Sequence, residues 1–395
     1  MSCPELPIEV WERVIDWIPS EFPKDGDIYN KESRDALYAS ALVCRSWTPR
    51  SQHHLYASVE LSDTFQARSF FANITHYRFF PGKVRALVIS PSRDDLQEGS
   101  NLIPCYFNWI YEAFVVLPPL LTNLLTLTFR RLPILHPSFV AMASQFKTVR
   151  YLRIESLASQ SFSEIIRLVN RLPRLRQLRL EKCEWPQPAH CYPSKRHRFK
   201  EVTVQESERC TSDVLHWMSS ARCLSSLNLL TFGEVKLNTT IVPSLDRVLT
   251  LCAIPLRYLS ITFRGPVSNT VGFPSLNHLP LECLNLWEMP LMSLYSFSSQ
   301  VHQVIPSTIE ILQIRLDRSI FAFTFTFMTV TWKDIDEQLS GPSFKKLSMF
   351  VIWSEPHPTS GSHLAEAKQM LQQALPKLYQ RGIVWWGDSL ANVGE

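Results

Sequence analysis

A six-residue pattern, apolar-x-x-apolar-x-apolar, occurs ten times from residue 84 onward. The copies are VRALVI, LLTLTF, VRYLRI, LRQLRL, FKEVTV, LSSLNL, LRYLSI, LECLNL, IEILQI and FKKLSM. Their last residues are Ile89, Phe129, Ile154, Leu180, Val204, Leu229, Ile261, Leu286, Ile314 and Met349, with spacings of 40, 25, 26, 24, 25, 32, 25, 28 and 35 residues. Stretches with helical periodicity, such as SFSEIIRLVNRLPRL and TSDVLHWMSSARCL, lie between the copies. Each repeat therefore predicts a short strand followed by a helix.

A single strand and helix of this kind cannot bury their apolar faces alone, so the repeats must stack side by side. Most of the spacings fit the twenty-odd residues of a leucine-rich repeat. We therefore expect an α/β fold in which residues 62–395 form an irregular leucine-rich-repeat horseshoe of about ten repeats. Its parallel strands would line the concave face and its helices the convex face, and a helical cap would close its C-terminal end.

Strand alternation divides each copy between two faces of the sheet. If the first, fourth and sixth positions point into the core, the third and fifth positions form two lanes on the concave face. The fifth-position lane contains Thr128, Arg153, Arg179, Thr203, Asn228, Ser260, Asn285, Gln313 and Ser348. The third-position lane contains Thr126, Tyr151, Gln177, Glu201, Ser226, Tyr258, Cys283, Ile311 and Lys346.

The candidate ligand-binding residues in these lanes are Tyr151, Arg153, Gln177, Arg179, Asn228, Tyr258, Asn285 and Gln313. Arg153 and Arg179 are neighbours in the stack and lie in a basic segment, residues 147–209, with 14 Lys+Arg against 7 Asp+Glu. An acidic or phosphorylated peptide suits such a pair, since guanidinium groups bind carboxylate and phosphate well. The alternative interpretation is that a solvated sheet face is polar in any case.

The N-terminal sixty residues lack the repeat and predict three helices. In ELPIEVWERVIDWI the apolar positions Val10, Val14 and Trp17 recur at helical spacing beside Trp11, Ile15 and Ile18. A helix with apolar residues on more than one face buries part of that surface against a partner or the next domain. A polar segment at about 19–34 predicts a loop, and a second helix follows over about 35–46. Thr48 as N-cap and Pro49 at the first helical position predict a third helix.

The run LPIEVWERVIDWI, followed by ALVCRSWTPRSQHHLYASVEL at 41–61, resembles the F-box. This helical module docks substrate receptors on the Skp-type adaptor of cullin-RING ubiquitin ligases. With the repeats behind it, the whole chain resembles the F-box proteins with C-terminal leucine-rich repeats that are abundant in mushroom-forming fungi. The resemblance implies an F-box over residues 1–61, in which the long segment at about 19–34 departs from the common pattern.

The resemblance also implies the adaptor-binding side chains. Those of the first helix that contact the adaptor are Leu6, Pro7, Ile8, Val10, Val14 and Ile15. Those that complete this surface or hold its helices together are Leu42, Val43, Cys44, Trp47, Leu55 and Tyr56. It further implies a substrate-recognition subunit of a Skp-cullin-F-box type ubiquitin ligase, which performs no bond chemistry itself and holds an unknown protein substrate on the repeats. The alternative is a scaffold or interaction protein that is not coupled to ubiquitin transfer.

Composition and motifs narrow the function classes further. The chain contains no GxxxxGK[ST], GxGxxG, HExxH or GxSxG motif, so we expect no enzyme, no cofactor and no nucleic-acid ligand. Its nine cysteines form no CxxC pair, its start lacks the pattern of a secretory signal, and no apolar run is long enough for a membrane span. We therefore expect an intracellular protein of the cytoplasm, the nucleus or both.

Four local features remain open to more than one interpretation. We interpret Cys44 as a small core residue and His53 and His54 as helix-surface residues, with no metal there. Cys183, His190, Cys191 and His197 are zinc-ligand types at a spacing that matches no familiar finger. Trp185, Trp287 and Trp353 follow strands and are either binding anchors or caps on the edge of the core. The alternation in FAFTFTFMTVTW, residues 321–332, predicts an additional strand.

Overall fold

The computed structural model describes the chain in segments and divides it into two compact units, Met1–His190 and Cys191–Glu395. The described residues are 7–18, 31–77, 80–91, 108–132, 137–157, 159, 161–186, 198–205, 208–220, 224–235, 241–252, 255–263, 274–289, 294, 297–298, 301–316, 325–353 and 369–387. Both units alternate parallel strands with helices, so the predicted α/β class is confirmed. The N-terminal helices belong to the same unit as the first five strands.

Unit 1 contains three N-terminal helices followed by alternating strands and helices. The helices are α1 (Ile8–Trp17), α2 (Lys31–Val43), α3 (Thr48–Ala57), α4 (Thr64–His76), α5 (Asn108–Leu120), α6 (Pro137–Ala143) and α7 (Phe162–Arg171). The strands are β1 (Ser58–Leu61), β2 (Ala86–Ile89), β3 (Thr126–Arg130), β4 (Tyr151–Glu155) and β5 (Gln177–Glu181). Each strand pairs in parallel with the next one along the chain. The short strand β1, which carries no copy of the pattern, was not predicted.

Unit 2 repeats this arrangement with seven further strands. They are β6 (Glu201–Gln205), β7 (Leu229–Val235), β8 (Tyr258–Phe263), β9 (Cys283–Met289), β10 (Ile311–Leu316), β11 (Met349–Trp353) and β12 (Val384–Gly387). The helices between them are α8 (Glu208–Ser220), α9 (Ile241–Leu251), α10 (Val301–Val304), α11 (Phe325–Leu339) and α12 (Pro376–Gln380). These strands also pair in parallel and in chain order.

The predicted inward positions of the pattern form the core of both units. Leu152 and Ile154 on β4, and Leu178 and Leu180 on β5, are fully buried, as are their counterparts on β2, β3 and β6 to β11. The parallel register aligns fourth positions with fourth and sixth with sixth, so that Leu152 lies beside Leu178. Each strand therefore extends a continuous apolar layer that the helices cover, which is how stacking stabilises repeats that cannot fold alone.

Two strands use a different reading frame from the predicted one. In LSSLNLLTF the buried triplet is Leu227, Leu230 and Phe232, and Thr231 pairs with Thr203 where the prediction placed Asn228. Asn228 lies before β7 and is exposed, so its assignment to the fifth-position lane is wrong. The shifted frame buries Phe232, which replaces Leu229 as the sixth position. The spacings from Val204 to this position and from it to Ile261 then change from 25 and 32 residues to 28 and 29 residues.

The same three-residue shift occurs on β11. Its buried triplet is Leu347, Phe350 and Ile352, and the register aligns Val351 with Gln313. The predicted lane residues Lys346 and Ser348 precede the strand, and Met349 and Val351 take their places. In both repeats two overlapping copies of the pattern compete, and the frame that matches the register of the neighbouring strand is the one adopted.

Three strands of unit 1 end at a residue in the left-handed backbone region. Arg131, Ser156 and Lys182 directly follow β3, β4 and β5 and have φ values of 54°, 53° and 50°. The N–H groups of Arg131 and Ser156 donate to the carbonyls of Glu155 and Glu181 on the next strand, at 2.8 and 2.9 Å. After β3 and β4, this hydrogen bond to the neighbouring strand is made by the residue at which the strand ends. Since none of the three is glycine, each carries some backbone strain.

The predicted strand over residues 321–332 is wrong where the structure describes it, because residues 325–332 belong to helix α11. Within this helix Trp332, Ile335 and Leu339 are buried at helical spacing, and the Asp336 carboxylate accepts hydrogen bonds from the N–H groups of Lys377 and Leu378 at 3.1 and 2.8 Å. Contacts made by the C-terminal part of α11 therefore outweigh the period-two pattern of the residues at its start. Residues 321–324 lie outside the described part.

The left-handed residues give a stability prediction at Ser156. Ser156→Gly should raise the free energy of unfolding by about 0.5 kcal/mol, because glycine adopts this region without a clash of its Cβ. Ser156→Val should lower it by about 1–2 kcal/mol, since a β-branched residue tolerates positive φ poorly. Urea unfolding of both variants, with Ser156→Ala as the control for loss of the hydroxyl, checks this; equal destabilisation by Gly and Val would contradict it.

Candidate functional site

Helix α1 presents apolar side chains in two directions. Ile15 is 1% exposed and, with the half-buried Trp11, faces the other helices. Val10, Val14 and Trp17 follow a second stripe at i, i+4 and i+7 and are exposed, Trp17 by 71%. The predicted adaptor contact Ile15 is thus part of the module's own core, whereas Val10 and Val14 lie on the surface.

The end of α2 adds to this exposed apolar surface. Leu42 is 87% exposed, Val43 is also exposed, and the ring of Trp47 just beyond them packs against that of Trp11 with centroids 4.7 Å apart. The Trp11–Trp47 contact joins the middle of α1 to the segment that links α2 and α3. We call the residues Ile8, Val10, Val14, Trp17, Leu42 and Val43 the N-terminal apolar surface.

Cys44 lies at the edge of this surface and is exposed, so its interpretation as a core residue is wrong. Its Sγ lies 3.0 Å from the Ser46 hydroxyl, and this hydrogen bond lowers the pKa of the thiol. Nearby, the Thr48 hydroxyl donates to the carbonyls of Ala41 and Cys44 at 2.8 and 3.1 Å. Thr48 is the first residue of α3, and its side chain stabilises the end of α2 instead of capping its own helix.

A charged cluster fixes α1 against α3. The Asp16 carboxylate accepts hydrogen bonds from the Arg50 guanidinium, with an Nε distance of 2.6 Å, and lies 2.7 Å from His54 Nε2. The hydrogen bond from Arg50 is the main reason that the pKa of Asp16 falls to about 2. His54 therefore bridges two helices, a role that its prediction as a helix-surface residue did not include. The stabilisation that the Asp16–Arg50 contact gives the folded state is lost as the pH falls towards about 2, where the Asp16 carboxylate takes up a proton.

The remaining predicted F-box residues hold the module to the first repeat. The ring of Tyr56 lies 4.1 Å from that of Phe80, Leu55 is half-buried beside it in sequence, and the chain runs directly from α3 into β1. The Arg85 N–H donates to the Ala57 carbonyl at 2.8 Å. Pro7 is exposed before α1, and Leu6 lies outside the described residues.

On the sheet face that carries the third and fifth positions, which we call the lane face, unit 1 bears an ion-pair ladder. Arg130 pairs with Glu155 at 3.0 Å and approaches Glu60 at 4.0 Å. Arg153 pairs with Glu181 at 2.8 Å and with Glu155 at 3.5 Å, and Arg179 pairs with Glu181. The glutamates stand two positions after the fifth-position arginines, on the same face. The segments RIES and RLEK contain each arginine together with its glutamate, so the partners of the two predicted arginines stand in the same local sequence.

The ladder changes the interpretation of the arginine pair. Glu155 and Glu181 neutralise Arg153 and Arg179 within the chain, and the Arg153 and Glu181 side chains are largely buried. An acidic ligand would have to compete with carboxylates that are already in place, and this lowers the net gain from binding. Tyr151 on the adjoining lane is exposed and Gln177 is half-buried.

The lane face of unit 2 is mainly aromatic and uncharged. Asn285 donates to the Tyr258 hydroxyl, and Trp287 Nε1 donates to the Ser260 hydroxyl at 3.0 Å. Gln313 is half-buried on the next strand. The predicted residues Tyr258, Asn285 and Gln313 therefore do share one face, and a tryptophan from a position beyond the predicted lanes joins them.

Neither a family model nor a curated protein matches this chain. The candidate sites therefore depend on the geometry described above.

The zinc-type residues receive a different role where they are described. Cys183 is buried, its Sγ lies 3.4 and 3.3 Å from the carbonyl oxygens of Ile154 and Glu181, and burial raises its pKa to about 12. It occupies the ninth position of its repeat, which is an asparagine or cysteine in leucine-rich repeats. His190, Cys191 and His197 lie outside the described residues. Within the described ranges, no three His, Cys, Asp or Glu side chains are grouped to hold a metal ion.

One of the three tryptophans belongs to the core edge. Trp185 is buried and stacks on Phe162 at the start of α7 with centroids 4.7 Å apart. Trp353 is buried as well, but it lies on the lane face of β11, in register with Arg315. Trp287 is only half-buried. Among the described helices, none combines the length and the apolar character that a membrane crossing requires.

The contrast between the cysteines can be measured by alkylation. In the native protein at mildly alkaline pH, Cys44 should react quickly with iodoacetamide, because it is exposed and its pKa is lowered. Cys183 should stay unmodified until the protein unfolds, because it is buried and its pKa is raised to about 12. Peptide mass mapping after timed labelling resolves the two sites, and rapid native labelling of Cys183 would contradict its placement.

The ladder predicts an unequal response to neutral substitutions. Glu181→Gln should lower the free energy of unfolding by about 2 kcal/mol, because it leaves two largely buried arginines without their shared carboxylate. Glu184→Gln, an exposed glutamate in the following turn, should have little effect. Urea unfolding of both variants at low and high ionic strength makes the comparison. Equal stability of the two would show that Glu181 does not hold the ladder.

Proposed function

We propose that this chain is the substrate-recognition subunit of a Skp-cullin-F-box type ubiquitin ligase. The N-terminal helices would dock on the adaptor, and the lane faces would hold a substrate protein. The observation that carries the proposal is the N-terminal apolar surface, because helix α1 buries one apolar stripe internally and leaves a second one exposed.

The physical argument begins with the cost of that exposure. Trp17, Leu42 and Val43 are apolar, and the Trp11–Trp47 contact connects α1 to the segment that follows Leu42 and Val43. A cluster of exposed apolar residues at helical spacing is what a partner with an apolar groove or helix buries on binding. Val10 and Val14 in this stripe are positions at which the resemblance predicts adaptor contacts, whereas Trp17 is an addition from the structure.

The connection between this surface and the repeats supports the same function. Helix α3 continues directly into β1, and the Tyr56–Phe80 contact and the Arg85–Ala57 hydrogen bond fix that junction. A receptor benefits from such a rigid junction, because it holds the bound substrate at a constant position relative to the docked adaptor. The chain would contribute proximity, which raises the effective concentration of substrate lysines near the charged conjugating enzyme.

The substrate is proposed to bind on the lane faces. Tyr151 and Gln177 in unit 1, and Tyr258, Asn285 and Gln313 in unit 2, supply the polar and aromatic side chains that recognise peptides. Arg153 and Arg179 take part only if a ligand replaces Glu181, so an acidic or phosphorylated substrate at that position requires the ladder to open.

The docking hypothesis is tested with charges on the exposed stripe. Val10→Asp combined with Val14→Asp should weaken binding of a Skp-type adaptor at least about a hundredfold, because two carboxylates would be buried in an apolar contact. The circular dichroism spectrum and melting temperature should stay close to those of the unchanged chain, since both positions are exposed. Pull-down with purified adaptor gives the readout.

The matched control is Glu9→Lys, which changes the charge of the same helix away from the exposed stripe and should retain the adaptor. Full adaptor binding by the folded double variant would refute the assignment of the stripe. A different result would support the scaffold. If the unchanged chain binds the adaptor, but the proteins it captures have the same half-life in cells with the unchanged chain and with the double variant, the chain is a scaffold and not a ligase receptor.

A further inference from the structure

The lane face of unit 2 contains a cluster of aromatic and cationic side chains near the carboxyl ends of its strands. Trp287, Arg315 and Trp353 stand two residues after Asn285, Gln313 and Val351, which places them on the same face. The two indole rings have centroids 6.0 Å apart, and the Arg315 guanidinium lies 5.7 Å from the Trp287 ring centroid. Three consecutive strands therefore contribute to one cluster.

The two indole N–H groups in this cluster differ. Trp287 Nε1 donates to the Ser260 hydroxyl at 3.0 Å. Trp353 is 8% exposed, and its Nε1 is buried without a hydrogen-bond acceptor in the part of the chain that the structure describes. A buried donor of this kind is unfavourable and is rare in folded proteins unless something else accepts from it.

A third tryptophan extends the cluster towards solvent. Trp385 on β12 pairs in register with Val351 and is 58% exposed. The face at this end thus offers a cation, an indole N–H donor and aromatic surface, of which Trp385 is the most accessible part.

We propose that the cluster of Trp287, Arg315, Trp353 and Trp385 binds a carboxylate-bearing peptide segment with an aromatic residue or a proline beside the acid. The carboxylate would accept from Arg315 and from Trp353 Nε1, and the neighbouring side chain would stack on the exposed Trp385. As a statement about the substrate, this inference rests on the proposed receptor function.

The chemistry favours a carboxylate over a phosphate group. One guanidinium and one indole N–H match a single negative charge with two oxygens, whereas a phosphate carries up to two charges and usually binds where several cations converge. The aromatic surface favours a planar or proline neighbour, which stacks at little cost in conformational freedom. Because Trp353 Nε1 is screened from solvent, a carboxylate reaches it only if side chains around the cluster move on binding.

The proposal also separates the two lane faces. The sequence points to Arg153 and Arg179 as the acid-binding pair, and these arginines face the carboxylates of Glu155 and Glu181. In unit 2 the acid would meet a guanidinium over an indole ring, beside the buried N–H of a second indole.

The test uses the full chain and synthetic ten-residue peptides with a central Phe-Asp-Pro. Controls carry Phe-Asn-Pro and Phe-phosphoserine-Pro, and a further pair ends in phenylalanine as the free acid or as the amide. We expect titration calorimetry and tryptophan fluorescence to show binding of the Asp peptide, and binding of the Asn peptide to be roughly tenfold weaker. A preference for the terminal free acid over its amide would identify the chain end as the source of the carboxylate, with the same chemistry.

Variants assign the binding to the cluster. Arg315→Gln should weaken the Asp peptide roughly tenfold, and Trp353→Phe, which keeps a ring and removes the N–H, should weaken it several-fold. Arg257→Gln is the matched control, because Arg257 is an exposed arginine of unit 2 that lies outside the cluster and pairs with Glu282; it should leave the affinity unchanged. Each variant must show the circular dichroism spectrum of the unchanged chain, and Trp385→Ala, at an exposed position, gives a second measurement should Trp353→Phe fail to fold.

Four outcomes would overturn the proposal: no binding of either acid, equal binding of Asp and Asn peptides, tighter binding of the phosphoserine peptide, or unchanged affinity in Arg315→Gln. The adaptor pull-down is independent of these measurements. If the unchanged chain does not bind the adaptor but binds the Asp peptide, the receptor function is refuted and the peptide site stands. If the chain binds the adaptor but not the Asp peptide, only this site is refuted.

Discussion

Alignment of apolar fourth and sixth positions across neighbouring parallel strands holds each unit together. Leu152 beside Leu178, and Leu284 beside Leu312, are buried in the layer between the strands and their helices. Because side chains alternate along a strand, this inward alignment also decides which residues share the opposite face. The ion-pair ladder and the tryptophan cluster both follow from it, since each is a row of side chains from successive strands.

The same constraint explains why the two lane faces differ in chemistry. In unit 1 the fifth-position arginines and the glutamates two residues later stack into alternating rows, and neighbouring strands supply opposite charges at contact distance. In unit 2 the corresponding positions on β8 to β11 include Ser260, Asn285, two tryptophans and Arg315, so the rows interact through hydrogen bonds, ring contacts and a cation over an indole ring. A ligand would meet carboxylates that are already paired in unit 1, and aromatic surface with indole donors in unit 2. One backbone arrangement thus supports two different recognition surfaces.

The N-terminal helices are held together by contacts other than strand alignment. Their stability depends on a small internal core that includes Ile15 and Leu37, on the Trp11–Trp47 contact and on the Asp16–Arg50–His54 cluster. Once these contacts hold α1 against α3, the second apolar stripe of α1 has no place inside the module. The stripe is therefore exposed because the short helix α1 has more apolar residues than its contacts with the other N-terminal helices can bury. This excess is the physical basis of the proposed adaptor docking.

The sequence alone determined the repeating strand and helix order, the inward positions of eight of the ten predicted strands and the two-faced character of α1, because periodicity depends only on local geometry. Tertiary structure decided the frame of β7 and β11, where two overlapping patterns were available and neighbouring strands selected one. It also decided that residues 325–332 are helical, that Cys44 is exposed and Cys183 buried, and that Arg153 and Arg179 are paired. Most of those outcomes depend on residues from neighbouring repeats or on which of two faces is buried, and a local pattern contains neither. The arginines are the exception in part, because Glu155 and Glu181 follow Arg153 and Arg179 by only two residues, and among these pairs only Arg153–Glu181 joins two strands.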